Sequence, residues 1–81
     1  MRTVTTIPHP HIKITVHQYN DKYLIEMEAA QYKQTYKISV DSVDGVEGIK
    51  ALCSPEFIQK CMQRFQSMHE DFGHAFAAMK K

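Results

Sequence analysis

Residues 11–38 read "HIKITVHQYNDKYLIEMEAAQYKQTYKI", and the alternation inside that stretch decides the fold. Ile12, Ile14 and Val16 alternate with Lys13, Thr15 and His17, the two-residue period of a strand with one buried face. Asn20-Asp21 tolerates the left-handed backbone of a tight hairpin turn. Counting outward from that turn, with Tyr19 opposite Lys22, sets Val16 against Ile25, Ile14 against Met27 and Ile12 against Ala29. The same count sets Thr15 against Glu26 and Lys13 against Glu28 on the other face. Apolar meets apolar and charge meets opposite charge, which is the arrangement that stabilises cross-strand neighbours.

A second turn at Ala30-Gln31 extends the pattern, although neither residue is a strong turn former. Ala29 then faces Tyr32, Ile25 faces Tyr36, Tyr23 faces Ile38, and Glu28 lies between Lys13 and Lys33. One register satisfies both hairpins, so residues 11–40 are expected to form a three-stranded meander. Its inner face carries Ile12, Ile14, Val16, Tyr23, Ile25, Met27, Tyr32, Tyr36 and Ile38. The outer face carries Lys13, Thr15, His17, Leu24, Glu26, Glu28, Lys33, Thr35 and Lys37. Upstream, residues 1–10 form either an N-terminal arm or a fourth strand from "RTVTTI". Pro8 and Pro10 confine any such strand to an edge.

Downstream the period changes. Asp41 to Gly45 is turn-like, and Asp44 with Glu47 has the spacing of a capping box, so residues 41–53 read as a loop with a short helix. Ser54, Pro55 and Glu56 then supply an N-cap, a first-turn proline and a first-turn acid. From there Ile58, Cys61, Met62, Phe65, Met68, Phe72, Ala75, Phe76 and Met79 recur at three- and four-residue steps. In projection they fill an arc of roughly 140°, which predicts one long amphipathic helix over residues 54–79. Lys80 and Lys81 follow it, where the helix dipole favours positive charge. The expected fold is therefore a single α+β domain over residues 1–81. A three- or four-stranded antiparallel meander leads into a short helical turn and a long C-terminal helix packed on one sheet face.

Lengths then raise a difficulty. A helix from Pro55 to Met79 runs ~37 Å, whereas strands of about eight residues span ~27 Å. The last two turns, around Phe72, Phe76 and Met79, should overhang the sheet. Three fates are open to them: pairing with a second copy, folding back over the short helix and N-terminal arm, or fraying beyond Gly73. Ile58, Phe65, Phe72 and Met79 are spaced by sevens, with Cys61, Met68 and Ala75 between them, which gives a coiled-coil-like seam.

Composition narrows the remaining choices. The chain has 81 residues, 43% apolar and 23% charged, with a formal net charge of +1. That allows one small core and implies no strong overall field towards nucleic acid or membrane. No secretory signal is read in "MRTVTTIPHPHIK", and no apolar run reaches the ~20 residues of a spanning helix. Cys53 and Cys61 fall too far apart along a helix to bridge, so both are read as thiols in a cytoplasmic protein.

Motifs for chemistry are sparse. His9 and His11 flank Pro10 without a Cys, Asp or Glu nearby to complete a metal set. Asp41, Asp44 and Glu47 lack the alternating acids of a calcium loop and suit caps and turns. Gly45 to Gly48 lacks the lysine and spacing of a phosphate loop. The reading is thus non-enzymatic, with no metal or cofactor. The chain is expected to be a small interaction or regulatory domain, with a homodimer or another protein as partner. The contact residues are Met68, His69, Phe72, Phe76 and Met79, and His69 inside the apolar arc could make association pH-dependent. The alternative is nucleic-acid binding through Lys13, His17, Tyr19, Lys33 and Lys37 on the outer sheet face. A small-molecule pocket beneath the helix would draw on Tyr23, Tyr36 and Met62.

Overall fold

In the computed structural model, which describes residues 2–80, the alternating segments become four strands: β1 (Arg2–Ile7), β2 (Lys13–Tyr19), β3 (Lys22–Ala29) and β4 (Tyr32–Ser39). They form one antiparallel sheet in chain order. The expected register holds across β2 and β3, with Val16 beside Ile25, Ile14 beside Met27 and Lys13 beside Glu28. It holds across β3 and β4 as well, with Ala29 beside Tyr32, Ile25 beside Tyr36 and Tyr23 beside Ile38. The expected pair Ile12–Ala29 falls outside the ladder, because β2 starts at Lys13. Ile12 is buried all the same.

The segment "RTVTTI" is the fourth strand. It lies at the edge against β2, with Val4 as an extra residue between the Thr3–His17 and Thr5–Val16 pairs. A bulge of this kind bends the strand and makes the edge a poor template for another chain. The opposite edge, β4, exposes Lys33 and Lys37, charges that discourage edge-to-edge pairing in the same way.

Both two-residue turns bend through a left-handed residue, Asn20 at φ 58° and Ala30 at φ 55°. Asparagine tolerates that region, whereas the Cβ of alanine meets backbone there. After β4, a 3-10 turn (Val40–Ser42) begins with Ser39 Oγ accepting from the Asp41 amide at 3.4 Å. It leads to α1 (Gly45–Leu52), then to α2 (Pro55–Met79). The expected capping box at Asp44 does not form. Asp44 sits at φ −90°, ψ 65° and makes no side-chain cap bond, since an N-cap reaches its amide from an extended backbone. Ser54 has that backbone, φ −68° and ψ 160°, and its hydroxyl accepts from the Phe57 amide at 3.3 Å. Gly48 packs closely on the Val43 segment: a Cβ there would come within 3.2 Å of the Val43 side chain, which would have to give by a few tenths of an ångström.

The core lies between the inner sheet face and the two helices. Ile14, Val16, Ile25, Met27, Ile49 and Cys61 are fully buried, and each large apolar side chain so buried contributes about 1.5–3 kcal/mol. Only Ile58, Cys61 and Phe65 of α2 are buried, so the helix is anchored by its first three turns. It then runs on unbroken through Gly73 to Met79, and every residue from His69 to Lys80 is exposed. The chain adopts neither fold-back nor fraying. Its extents are 49 × 26 × 18 Å and its radius of gyration is 14.7 Å, against about 12 Å for a compact chain of this length.

The left-handed alanine generates a prediction. Ala30→Gly removes the Cβ conflict at the cost of a more flexible unfolded chain, for a net gain of about 0.5–1 kcal/mol. Urea denaturation of the two proteins should show a higher midpoint at unchanged slope.

Candidate functional site

The uncovered end of α2 begins where the β3–β4 turn stops. Tyr32, the first residue of β4, points from the inner face towards the helix, and its ring meets His69 edge-on at 5.8 Å and Phe72 at 6.0 Å. The Tyr32 hydroxyl and His69 Nδ1 are hydrogen-bonded at 3.0 Å. Phe76 continues the series 6.0 Å beyond Phe72, and Lys80 Nζ lies 5.0 Å over the Phe76 ring. Cation–ring contacts of this exposed kind are worth about 0.5–1 kcal/mol. The aromatic row therefore extends from the last covered turn into solvent.

Four of the five residues expected to mediate association are exposed. Phe72 is 49% exposed, Phe76 43% and Met79 69%, and His69 is exposed too. Met68 differs, being half-buried at the margin of the core. Gln31, Tyr32, His69, Phe72, Gly73 and Phe76 line an open groove of about 490 Å³ in the angle between the hairpin tip and the helix. Tyr32, Gln31 and Gly73 were not singled out from sequence. Tyr32 looked like an ordinary inner-face residue, and its 37-residue separation from His69 carries no local signal.

One turn earlier, a polar cluster fixes α2 to β4. Gln34 Nε2 donates to the Cys61 carbonyl at 2.9 Å, and the Tyr36 hydroxyl donates to Gln34 Oε1 at 2.9 Å. Arg64 Nη1 donates to the Tyr36 oxygen at 3.3 Å, and Cys61 Sγ lies 3.5 Å from it. Burial pushes the Tyr36 hydroxyl above its ordinary pKa, with Cys61 adding to the shift and Arg64 opposing it. Burial, and then Cys61, also pushes the Cys53 thiol up, which keeps it a poor nucleophile. Both cysteines are buried and free.

The outer sheet face is largely occupied with itself. Glu26 sits between two of the expected cations, 3.3 Å from His17 Nε2 and 3.5 Å from Lys33 Nζ. The Thr3 hydroxyl contacts His17 Nδ1 at 3.1 Å. Lys13 is paired across strands with Glu28, and Lys37 with Leu24. Tyr19 is 54% exposed, but at the turn end of the sheet. There it shares a shallow hollow with Asn20, Asp21, Lys22, Leu24 and Lys37. The structure thus separates Tyr19 and Lys37 from Lys13 and Lys33 instead of joining all five.

The small-molecule pocket expected beneath the helix is not formed by its expected residues. Tyr23 is in the core and Tyr36 in the polar cluster. Met62 instead lines a cleft with Ile7, Pro8, His9, Cys53 and Ile58, against the N-terminal edge. His11 donates its amide to His9 Nδ1 at 3.1 Å, and among the described residues no group of three or more His, Cys, Asp or Glu converges. No helix among the described residues is long and apolar enough to cross a membrane. The chain matches no protein-family model, and no curated protein or solved structure is significantly similar to it.

The Tyr36 cluster gives two linked predictions. Tyr36→Phe loses the bonds to Gln34 and Arg64 and should cost about 0.5–1.5 kcal/mol in chemical denaturation. The pH dependence follows from the direction of the shift. The unfolded chain loses this proton near pH ~10 while the folded chain still holds it, so Tyr36 destabilises the fold as pH rises past that value. Denaturation midpoints measured from pH 8 to 11 should fall more steeply in the wild type than in Tyr36→Phe.

Proposed function

We propose that this chain is a small non-catalytic interaction or regulatory domain that self-associates through the uncovered end of α2. One observation carries the reading: three large apolar side chains, Phe72, Phe76 and Met79, stand exposed on one face of a regular helix. A contiguous apolar face of that kind on a small domain marks a contact surface. Phe72, Phe76 and Met79 fall at three- and four-residue steps on that face, the spacing that a partner helix can pack against. Free thiols on both cysteines fit a reducing compartment such as the cytoplasm.

The area sets an expectation for strength. The stretch from His69 to Lys80 is about 18 Å long, and two such stretches bury on the order of 1,000 Å² between them, the lower edge for specific interfaces. Micromolar association follows. The outer sheet face offers a nucleic acid less, because Glu26 engages both His17 and Lys33.

Sedimentation across a micromolar concentration series tests the proposal. The wild type should pass from monomer to dimer, whereas Phe72→Asp and Phe76→Asp, which would place an unpaired charge in the contact, should weaken association by about a hundredfold or more. A wild type that stays monomeric at several hundred micromolar contradicts the reading.

A further inference from the structure

We infer that the cleft between the end of β1 and the start of α2 binds a small uncharged molecule. The fitting ligand is mainly apolar and carries one oxygen that accepts a hydrogen bond. The cleft lies away from the uncovered end of α2, so this site stands or falls independently of self-association.

Three parts of the chain build the walls. Ile7 ends β1, and Pro8 and His9 follow it; Cys53 joins the two helices. Pro55, Ile58, Gln59 and Met62 complete the lining from α2, and steps of three and four residues bring them to one side of that helix. The floor reaches the core, since Cys53 and Ile58 are only 6% and 7% exposed. The cleft holds about 330 Å³, space for about ten non-hydrogen atoms at roughly 30 Å³ each. A hollow of that size, apolar with a few polar groups on its walls, suits a small ligand.

Charge narrows the class of ligand. Among the described residues, no lysine, arginine, aspartate or glutamate borders the cleft, in a chain of which 23% is charged. Burial, and then Cys61, pushes the Cys53 thiol up, so the floor presents a neutral S–H. An ionic ligand would lose its water here without a partner to replace it. An apolar one gains by leaving water.

Two polar groups set what else the ligand carries. His9 Nδ1 accepts the His11 amide at 3.1 Å, so the neutral ring bears its proton on Nε2 and donates from there. The exposed Gln59 carboxamide brings a second donor from the opposite wall. Donors on both sides select an accepting oxygen, a carbonyl or a hydroxyl. Binding needs little ordering of the walls. Pro8 and Pro10 fix their own φ, and the Ser54 hydroxyl caps the helix start by accepting from the Phe57 amide at 3.3 Å. Walls formed in advance favour affinity.

Methyl-resolved NMR of the full chain, titrated with acetophenone, reads the site directly. Saturable shifts are expected at the Ile7, Ile58 and Met62 methyls, with a Kd on the order of 1 mM or below for so small a ligand. The Phe72–Phe76 end should stay unmoved. Benzoate, the same ring carrying a charge, should bind at least about tenfold more weakly. Met62→Gln keeps the side chain's length but makes the wall polar, and should weaken acetophenone binding by about tenfold. Three results would overturn the inference: no saturable shift at those methyls up to about 10 mM, benzoate binding as tightly as acetophenone, or shifts confined to the Phe72–Phe76 end. Undiminished affinity in a folded Met62→Gln chain would overturn the placement in this cleft.

Discussion

A helix of 25 residues lies on strands of at most eight, and the rest of the molecule follows from that mismatch. The sheet ends near Tyr32, so α2 is covered only as far as Phe65 and Met68. Beyond the Tyr32 contacts to His69 and Phe72, the helix continues without tertiary support. Such an extension avoids the cost of nucleation, because its first turns are already fixed by packing and each added residue only propagates the ladder. Ala75, Ala77 and Ala78 favour propagation, and Gly73 opposes it. The extension is therefore regular in geometry but held by little beyond its own backbone bonds.

What holds the covered part in place is partly apolar and partly directional. Ile58, Cys61 and Phe65 enter the core opposite Ile14, Ile25 and Met27, and burial of this kind fixes depth more than direction. The Gln34–Tyr36–Arg64 cluster adds direction, since its bonds tie the helix backbone at Cys61 to one strand. The Tyr32–His69 bond adds a second tie 3.0 Å long at the last supported turn. With two ties on β4, the helix leaves the sheet along a defined line.

Much of this was legible in the sequence. The strand register was, because apolar and charged positions had to match on both faces at once, and a one-residue slip would have exchanged the faces. The start of α2 was as well, since Ser54 and Pro55 are chemically specific to that place. The fourth strand was only half legible: three threonines in β1 blur the alternation, and the bulge at Val4 breaks the period. The capping box at Asp44 was misread, because residue spacing says nothing of the backbone angle that the cap requires. Of the candidate contact face, Phe72, Phe76 and Met79 were readable from helix length. The contribution of Tyr32 was not, since it depends on where the hairpin tip meets the helix.

The central claim is that the end of α2 is bare in the monomer and covered in the pair. Amide hydrogen exchange at two protein concentrations addresses this segment by segment. The account predicts that residues 70–79 exchange rapidly in dilute solution and become protected as concentration rises, while β2 and β3 keep the same slow exchange throughout. Protection of residues 70–79 that is independent of concentration, whether high or low, would contradict it.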